Sequence, residues 1–212
     1  MRRATAMRRL IFSILALLCL TAESSLAQQH RSQPDYKGWE RMIPTHVKGQ
    51  FAGGMGLLSA GIGWDYGRAN QWESEVMVGL LPAKYADNTH MTLSLRQLYI
   101  PWDVTLSKRF SLEPLSCGLY LNFISGDRFW VRQPSKYPGA HYYTFSSRIR
   151  LHACVGQRVR WNLASESLLK SISLYYELSA NDLNIISKVT NRELKLSDIV
   201  FFSVGVRFQL QR

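Results

Sequence analysis

Residues 197 to 212 read SDIVFFSVGVRFQLQR. Val200, Phe202, Val204, Val206, Phe208 and Leu210 fall on one parity, and Phe201, Ser203, Gly205, Arg207 and Gln209 on the other. Successive side chains of a β-strand point to opposite faces, so this stretch predicts a strand from Ser197 onward with one apolar face and one small, polar or charged face. A membrane-barrel strand has this outline: the apolar face suits hydrocarbon, and Ser, Gly, Arg and Gln suit a barrel interior.

Seven further segments repeat the pattern upstream. In Ser171 to Ser179, Ile172, Leu174, Tyr176 and Leu178 alternate with Ser173, Tyr175, Glu177 and Ser179. Tyr143 to Trp161 sets Phe145, Ile149, Leu151, Ala153, Val155, Val159 and Trp161 against Ser146, Arg148, Arg150, His152, Gly156, Arg158 and Arg160. A basic residue facing lipid costs about 2 to 4 kcal/mol at mid-depth, so this charged parity points inward or lies near an end. Leu115 to Phe123, Trp72 to Leu80 and Ala60 to Tyr66 alternate likewise. Met91 to Val104 changes phase around Arg96-Gln97, which reads as a bulge or kink. The Gly-rich Gln50 to Leu58 makes the eighth strand, with a very tight turn near Leu57-Leu58-Ser59. The fold class is therefore all-β, an eight-stranded antiparallel up-and-down transmembrane β-barrel.

The N-terminus supplies the route. Arg2, Arg3, Arg8 and Arg9 precede an apolar run from Leu10 to Leu20 and the small-residue pattern Ser25-Leu26-Ala27, the organisation of a cleaved secretory signal. The domain layout is residues 1–27 as signal peptide, 28–47 as a polar periplasmic segment, placed to plug or cap the barrel mouth, and 48–212 as the barrel. Cys19 follows Leu17-Leu18, not a small residue, which argues against lipidation there. An export signal joined to barrel strands points to the outer membrane of a Gram-negative cell. Removing Arg2, Arg3, Arg8, Arg9 and Glu23 lowers the formal charge from +11 to about +8. In an exported chain that excess matches lipopolysaccharide phosphates better than nucleic acid. Cys117 and Cys154 fall on opposite faces of their strands and are expected as free thiols.

Loop lengths alternate as a barrel with both termini on one side requires. The connections Gly67-Arg68-Ala69-Asn70, the stretch ending at Lys108-Arg109, and Asn162 to Glu166 are short or moderate. Those at 82–90, 125–142 and 180–195 are longer and fall on the outer side. Trp64, Tyr66, Trp72, Tyr99, Trp102, Tyr143 and Trp161 lie near strand ends, where an interfacial girdle is expected at both rims. With these features the mature chain resembles the small eight-stranded outer-membrane barrel proteins of Gram-negative bacteria. The resemblance implies outer-membrane lipid, lipopolysaccharide and the insertion machinery as partners. Members usually end on an aromatic residue read by that machinery; here Phe208 is followed by Leu210-Gln211-Arg212.

An eight-stranded interior is just wide enough to be filled by side chains, so Asp65, Glu73, Glu75, Arg148, Arg150, Arg158, Arg160, Glu177 and Arg207 are expected to form an ion-pair network closing the lumen. The sharpest catalytic candidates are Ser179, His152 and Glu177, a nucleophile, base and orienting acid for acyl transfer. Lipid A deacylases are barrels of this size with such a triad. Their His-x-Ser-Asn arrangement is absent, the nearest text being Glu177-Leu178-Ser179-Ala180-Asn181. Their triad opens toward the membrane, whereas these three residues share the inward parity. His30, His46, His90, His141 and His152 show no paired ligand spacing, so neither a metal nor a cofactor is indicated. Arg128, Trp130, Arg132, Lys136, Tyr137 and His141 interleave aromatic and basic character in the longest outer loop and are candidates for gripping a phosphate, glycan or protein. The principal expectation is a closed barrel with a structural or surface-interaction role through its outer loops. The rivals are a lipid-modifying acyl hydrolase and a soluble periplasmic barrel binding a small apolar ligand, in which the apolar parity would face inward.

Overall fold

A computed structural model describes residues 38–83, 88–126, 148–163, 168–191 and 195–211. The strands are β1 (His46–Ala52), β2 (Leu58–Tyr66), β3 (Trp72–Leu81), β4 (His90–Tyr99), β5 (Val104–Thr105), β6 (Phe110–Ile124), β7 (Ile149–Asn162), β8 (Leu169–Asn181) and β9 (Phe201–Leu210). The sheet runs β4-β3-β2-β1-β9-β8-β7-β6, all antiparallel, and β4 pairs with β6 to close it. The two-residue β5 is a short arm on β6. Eight strands thus form a closed up-and-down barrel, which leaves no sheet edge unpaired. One rim carries the chain ends; the other carries the turn 53–57 and the long connections.

The apolar parity faces out on every strand. Val47, Ile62, Val78, Leu93, Leu95, Leu119, Val155, Leu174 and Val204 are all exposed, while Lys48, Glu73, Glu75, Arg96, Glu113, Arg158, Glu177 and Arg207 are buried. This is the reverse of a soluble barrel around an apolar cavity. Among the described residues the only Lys, Arg, Asp or Glu on the outward strand parity is Lys170, the second residue of β8. Cys117 faces out and Cys154 in, both as free thiols.

Several expected boundaries move, each for a local reason. The first strand is His46–Ala52 rather than Gln50 to Leu58, because residues 53–57, with three glycines, leave the wall as the turn. No bulge interrupts β4: its register with β3 runs unbroken from His90 to Tyr99. Leu98 points inward at 2% exposure and Gln97 outward, and these two exceptions to polarity imitate a phase slip in the sequence. The irregularity lies instead in β6, between Glu113 and Ser116, where Pro114 has no N–H to give the ladder. That bulge carries the strand back to Phe110, before the Leu115 start read from alternation. Beyond β8, the connection 180–195 holds a helix, α1 (Asp182–Thr190), capped by Asn181, whose Oδ1 accepts from the Asn184 N–H at 2.7 Å. The Ser197 start of the last strand is also corrected: Leu196–Ile199 is a helical turn, α2, and β9 begins at Phe201.

Among the described residues the Trp and Tyr side chains at strand ends stand at the terminus-bearing rim. Tyr66, Trp72, Tyr99, Trp102 and Trp161 stand at the terminus-bearing end with Phe110, and Trp72 and Tyr99 pack at 4.6 Å. At the opposite rim the outward aromatics of the strands are Phe51, Phe123 and Phe202. Tyr143 lies outside the described residues.

Candidate functional site

Register places the interior charges. Asp65 on β2 is directly opposite Glu73 on β3, two inward carboxylates side by side. Like charges so placed repel unless a cation stands between them. Arg207 on β9 supplies it: Nη2 donates to both Asp65 oxygens at 2.7 Å and lies 3.3 Å from Glu73 Oε1. Arg158 forks onto Glu73 at 2.7 and 2.9 Å and reaches Glu113 at 3.1 Å. Such bidentate pairs fix geometry as well as charge. Arg160 then joins Glu113 at 2.9 Å to Asp103 at 2.6 Å. On the other side Lys48 donates to Glu75 at 2.9 Å, and Arg96 bridges Glu75, at 3.4 Å, to Glu177, with which it makes a direct hydrogen bond. Tyr175 and Gln50 complete the centre, with the Lys48 ammonium 4.3 Å from the Tyr175 ring centroid.

The expected network is therefore drawn together at Asp65, Glu73, Glu75, Arg158, Arg160, Glu177 and Arg207. Arg148 and Arg150 are not part of it. They sit at the loop-bearing rim, where Arg148 donates to the Gly126 carbonyl at 3.0 Å and Arg150 lies 3.5 Å from Asp182. His46, Lys48, Arg96, Asp103 and Glu113 belong to the network but escaped the sequence reading. Lys48 and His46 lie before the point where the first strand was placed, Arg96 sits at the misread phase change, and Glu113 precedes the bulge.

His46, with 0% exposure, has Nδ1 3.0 Å from Arg207 and Nε2 3.3 Å from Glu75. Ligand atoms of His46, Asp65 and Glu73 lie within 4.8 Å of one another, a spacing a metal ion could use. The Arg207 guanidinium already occupies the cation's place among them, so the donor set is that of an ion-pair nest.

The three hydrolase candidates are close in the fold but serve different neighbours. Ser179 Oγ accepts from the Tyr120 hydroxyl at 3.1 Å, and the Tyr120 ring stacks on His152 with centroids 4.4 Å apart. Glu177 is held by Arg96. Among the described residues no hydrogen bond links His152 to either Ser179 or Glu177. Register sets Ser179 opposite Cys154 and His152 opposite Asn181. The arrangement performs packing and hydrogen bonding without assembling a nucleophile and base.

Above this layer the first hairpin closes the mouth. Met55 is fully buried with Met77, Leu98, Tyr120 and Cys154. Its carbonyl accepts from the Thr92 hydroxyl, and Asn122 Nδ2 donates to the Gly54 carbonyl at 2.9 Å. The turn can enter only because side chains are missing: a Cβ at Gly54 would lie 2.6 Å from His152 Cε1, and one at Gly79 would lie 2.2 Å from the Met55 carbonyl. The lumen is thus filled by ion pairs toward one rim and by this turn toward the other. The outer-loop candidates Arg128, Trp130, Arg132, Lys136, Tyr137 and His141 lie outside the described residues.

No protein-family model, curated protein or solved structure matches the chain.

Proposed function

We propose that the protein is an integral outer-membrane β-barrel of structural or surface-interaction role, exported by its N-terminal signal. Its lumen is closed, and its loops at 82–90, 125–142 and 180–195 meet partners at the cell surface. The observation that carries this reading is the inverted wall, apolar outward on all eight strands and charged inward. In water such a surface would leave apolar side chains exposed around the whole circumference, far beyond the patch of a few hundred Å² usual for a soluble monomer. Hydrocarbon removes that cost.

Several outward polar groups pair with one another, which suits the same surroundings. Tyr66 and Ser74 both donate to Gln97 Oε1, at 2.9 and 2.7 Å, and Tyr176 donates to Gln157 Oε1 at 2.6 Å. Polar groups facing an apolar medium are costly unless paired. Lipid and lipopolysaccharide are the partners of the wall, and the outer-membrane insertion machinery delivers the chain. The plugged lumen argues against conduction, and among the described residues no hydrogen bond joins His152 to Ser179 or Glu177 as an acyl hydrolase would need.

Heat-modifiability tests the reading: isolated outer membranes containing the tagged protein are run on a gel boiled and unboiled. A faster-migrating unboiled band is the expected result. Recovery of the protein solely in the soluble periplasmic fraction, with no shift, overturns it.

A further inference from the structure

The described residues before β1, 38–45, lie against the outside of the barrel. Gly38–Met42 forms a short 3-10 helix whose residues are all exposed, and Trp39, Met42 and Ile43 are 85, 67 and 53% exposed. Three large apolar side chains in five residues are thus presented away from the protein. Their placement is set by the wall. Trp64 belongs to the outward parity of β2, between Ile62 and Tyr66, and its Nε1 donates to the Met42 carbonyl at 2.9 Å. Thr45 fastens the following residues to the same strand: its N–H donates to the Gly63 carbonyl at 2.8 Å, and its Oγ1 accepts from the Asp65 N–H at 3.0 Å. The segment is therefore clasped against the exterior, at the rim where Tyr66, Trp72 and Tyr99 stand.

We propose that residues 38–43 form a membrane-interface anchor, Trp39, Met42 and Ile43 lying among the headgroups and upper acyl chains of the phospholipid leaflet at the terminus-bearing rim. This rests on the membrane reading of the wall and extends it to a part of the chain that crosses nothing. The occupant follows from continuity: the wall around Trp64 faces hydrocarbon, so a segment hydrogen-bonded to that wall at its aromatic ring meets the interface. Trp favours that layer because its ring is apolar and its N–H polar. Apolar faces lying in it sink roughly 5–10 Å into the headgroup boundary. A periplasmic tether with this composition would leave Trp39 in water.

The test uses the full chain folded into phosphatidylcholine–phosphatidylglycerol vesicles carrying brominated lipids. The Trp39 emission is taken as the difference between wild type and Trp39→Phe. It should be quenched more by bromines near the headgroup than by bromines near the chain end, and little by iodide in the buffer. A component quenched by iodide and blind to both bromolipids overturns the anchor, as does protection that vanishes on dilution of protein into lipid, which would place a second copy on the patch. A Leu95→Trp variant reports the wall in parallel. If it is quenched by the deep bromines and Trp39 is not, the anchor alone fails; if neither is quenched, the membrane reading fails. In a Trp64→Phe background the iodide quenching of Trp39 should rise roughly twofold or more as the interfacial hold loosens. No rise would overturn the clasp.

Discussion

At the scale of single residues the interior is a set of charges, each of which exists because another stands opposite. Arg207 is the clearest case, since Asp65 and Glu73 face each other across β2 and β3 and the guanidinium lies between them. Arg207→Met leaves two buried carboxylates sharing only Arg158, His46 and Gln209, and stranding one member of a buried pair costs about 3–5 kcal/mol. The expected result is a corresponding loss in urea-driven unfolding free energy. Arg207→Lys should recover only part of it, because an ammonium is a point charge and cannot reproduce the planar fork. Gln97 gives the opposite expectation. It sits on the outward parity and is tolerated through Tyr66 and Ser74. Gln97→Leu together with Ser74→Ala and Tyr66→Phe removes the acceptor and both donors at once, and removal of all the partners together is nearly neutral or stabilising. A loss beyond about 1 kcal/mol would show the triad contributes more than mutual satisfaction. Legibility at this scale followed strand phase. Glu73, Glu75, Arg158 and Arg207 lie on cleanly alternating strands and could be read as inward, whereas Arg96 is followed by an outward Gln97 and an inward Leu98, which hid its face.

At the scale of elements the barrel is closed above its ionic centre by a turn that alternation could not describe. Once the chain leaves the wall at Ala52, periodicity of two has no meaning, and the run of Gly53, Gly54 and Gly56 reads as a weak strand. The same limit hid α1, although Asn181 and Asp182 at its start and Lys188 in its last turn are ordinary helix-end signals. The turn makes a measurable prediction. Gly54→Val sets side-chain atoms where His152 and Tyr120 stand, so the turn is driven from the mouth and Met55 leaves the cluster it shares with Cys154. Cys154, 6% exposed in the native barrel, should then react with a small water-soluble thiol reagent roughly tenfold faster, as local opening controls access to buried groups. Mass spectrometry of the labelled peptides separates it from Cys117 on the outward face. An unchanged rate at Cys154 would mean that the turn does not guard the lumen.

At the scale of the whole molecule, what alternation could deliver is parity, and parity alone is silent about which side is which. In the sequence the expected export signal, the loop lengths and the aromatics break that tie; in the closed sheet burial breaks it, the charged side chains of the eight strands lying buried as ion pairs and the apolar ones exposed. The environment of the outer wall then decides the sign of one substitution. Leu95 lies mid-strand on β4, 45% exposed, between Val76 and Leu121 on the neighbouring strands. If hydrocarbon covers it, Leu95→Arg costs about 2–4 kcal/mol for vesicle-embedded protein, with smaller losses for Arg placed nearer either rim. If water covers it, the same change falls within about 0.5 kcal/mol of neutral, as surface substitutions usually do, and reduces self-association. Reversible unfolding of Leu95→Arg and of Tyr99→Arg in the same vesicles therefore measures more than a stability. A depth-dependent penalty, large at 95 and small at 99, is the expected outcome, and equal near-zero effects at both positions would place the barrel in water with its apolar wall left to pair with some other protein surface.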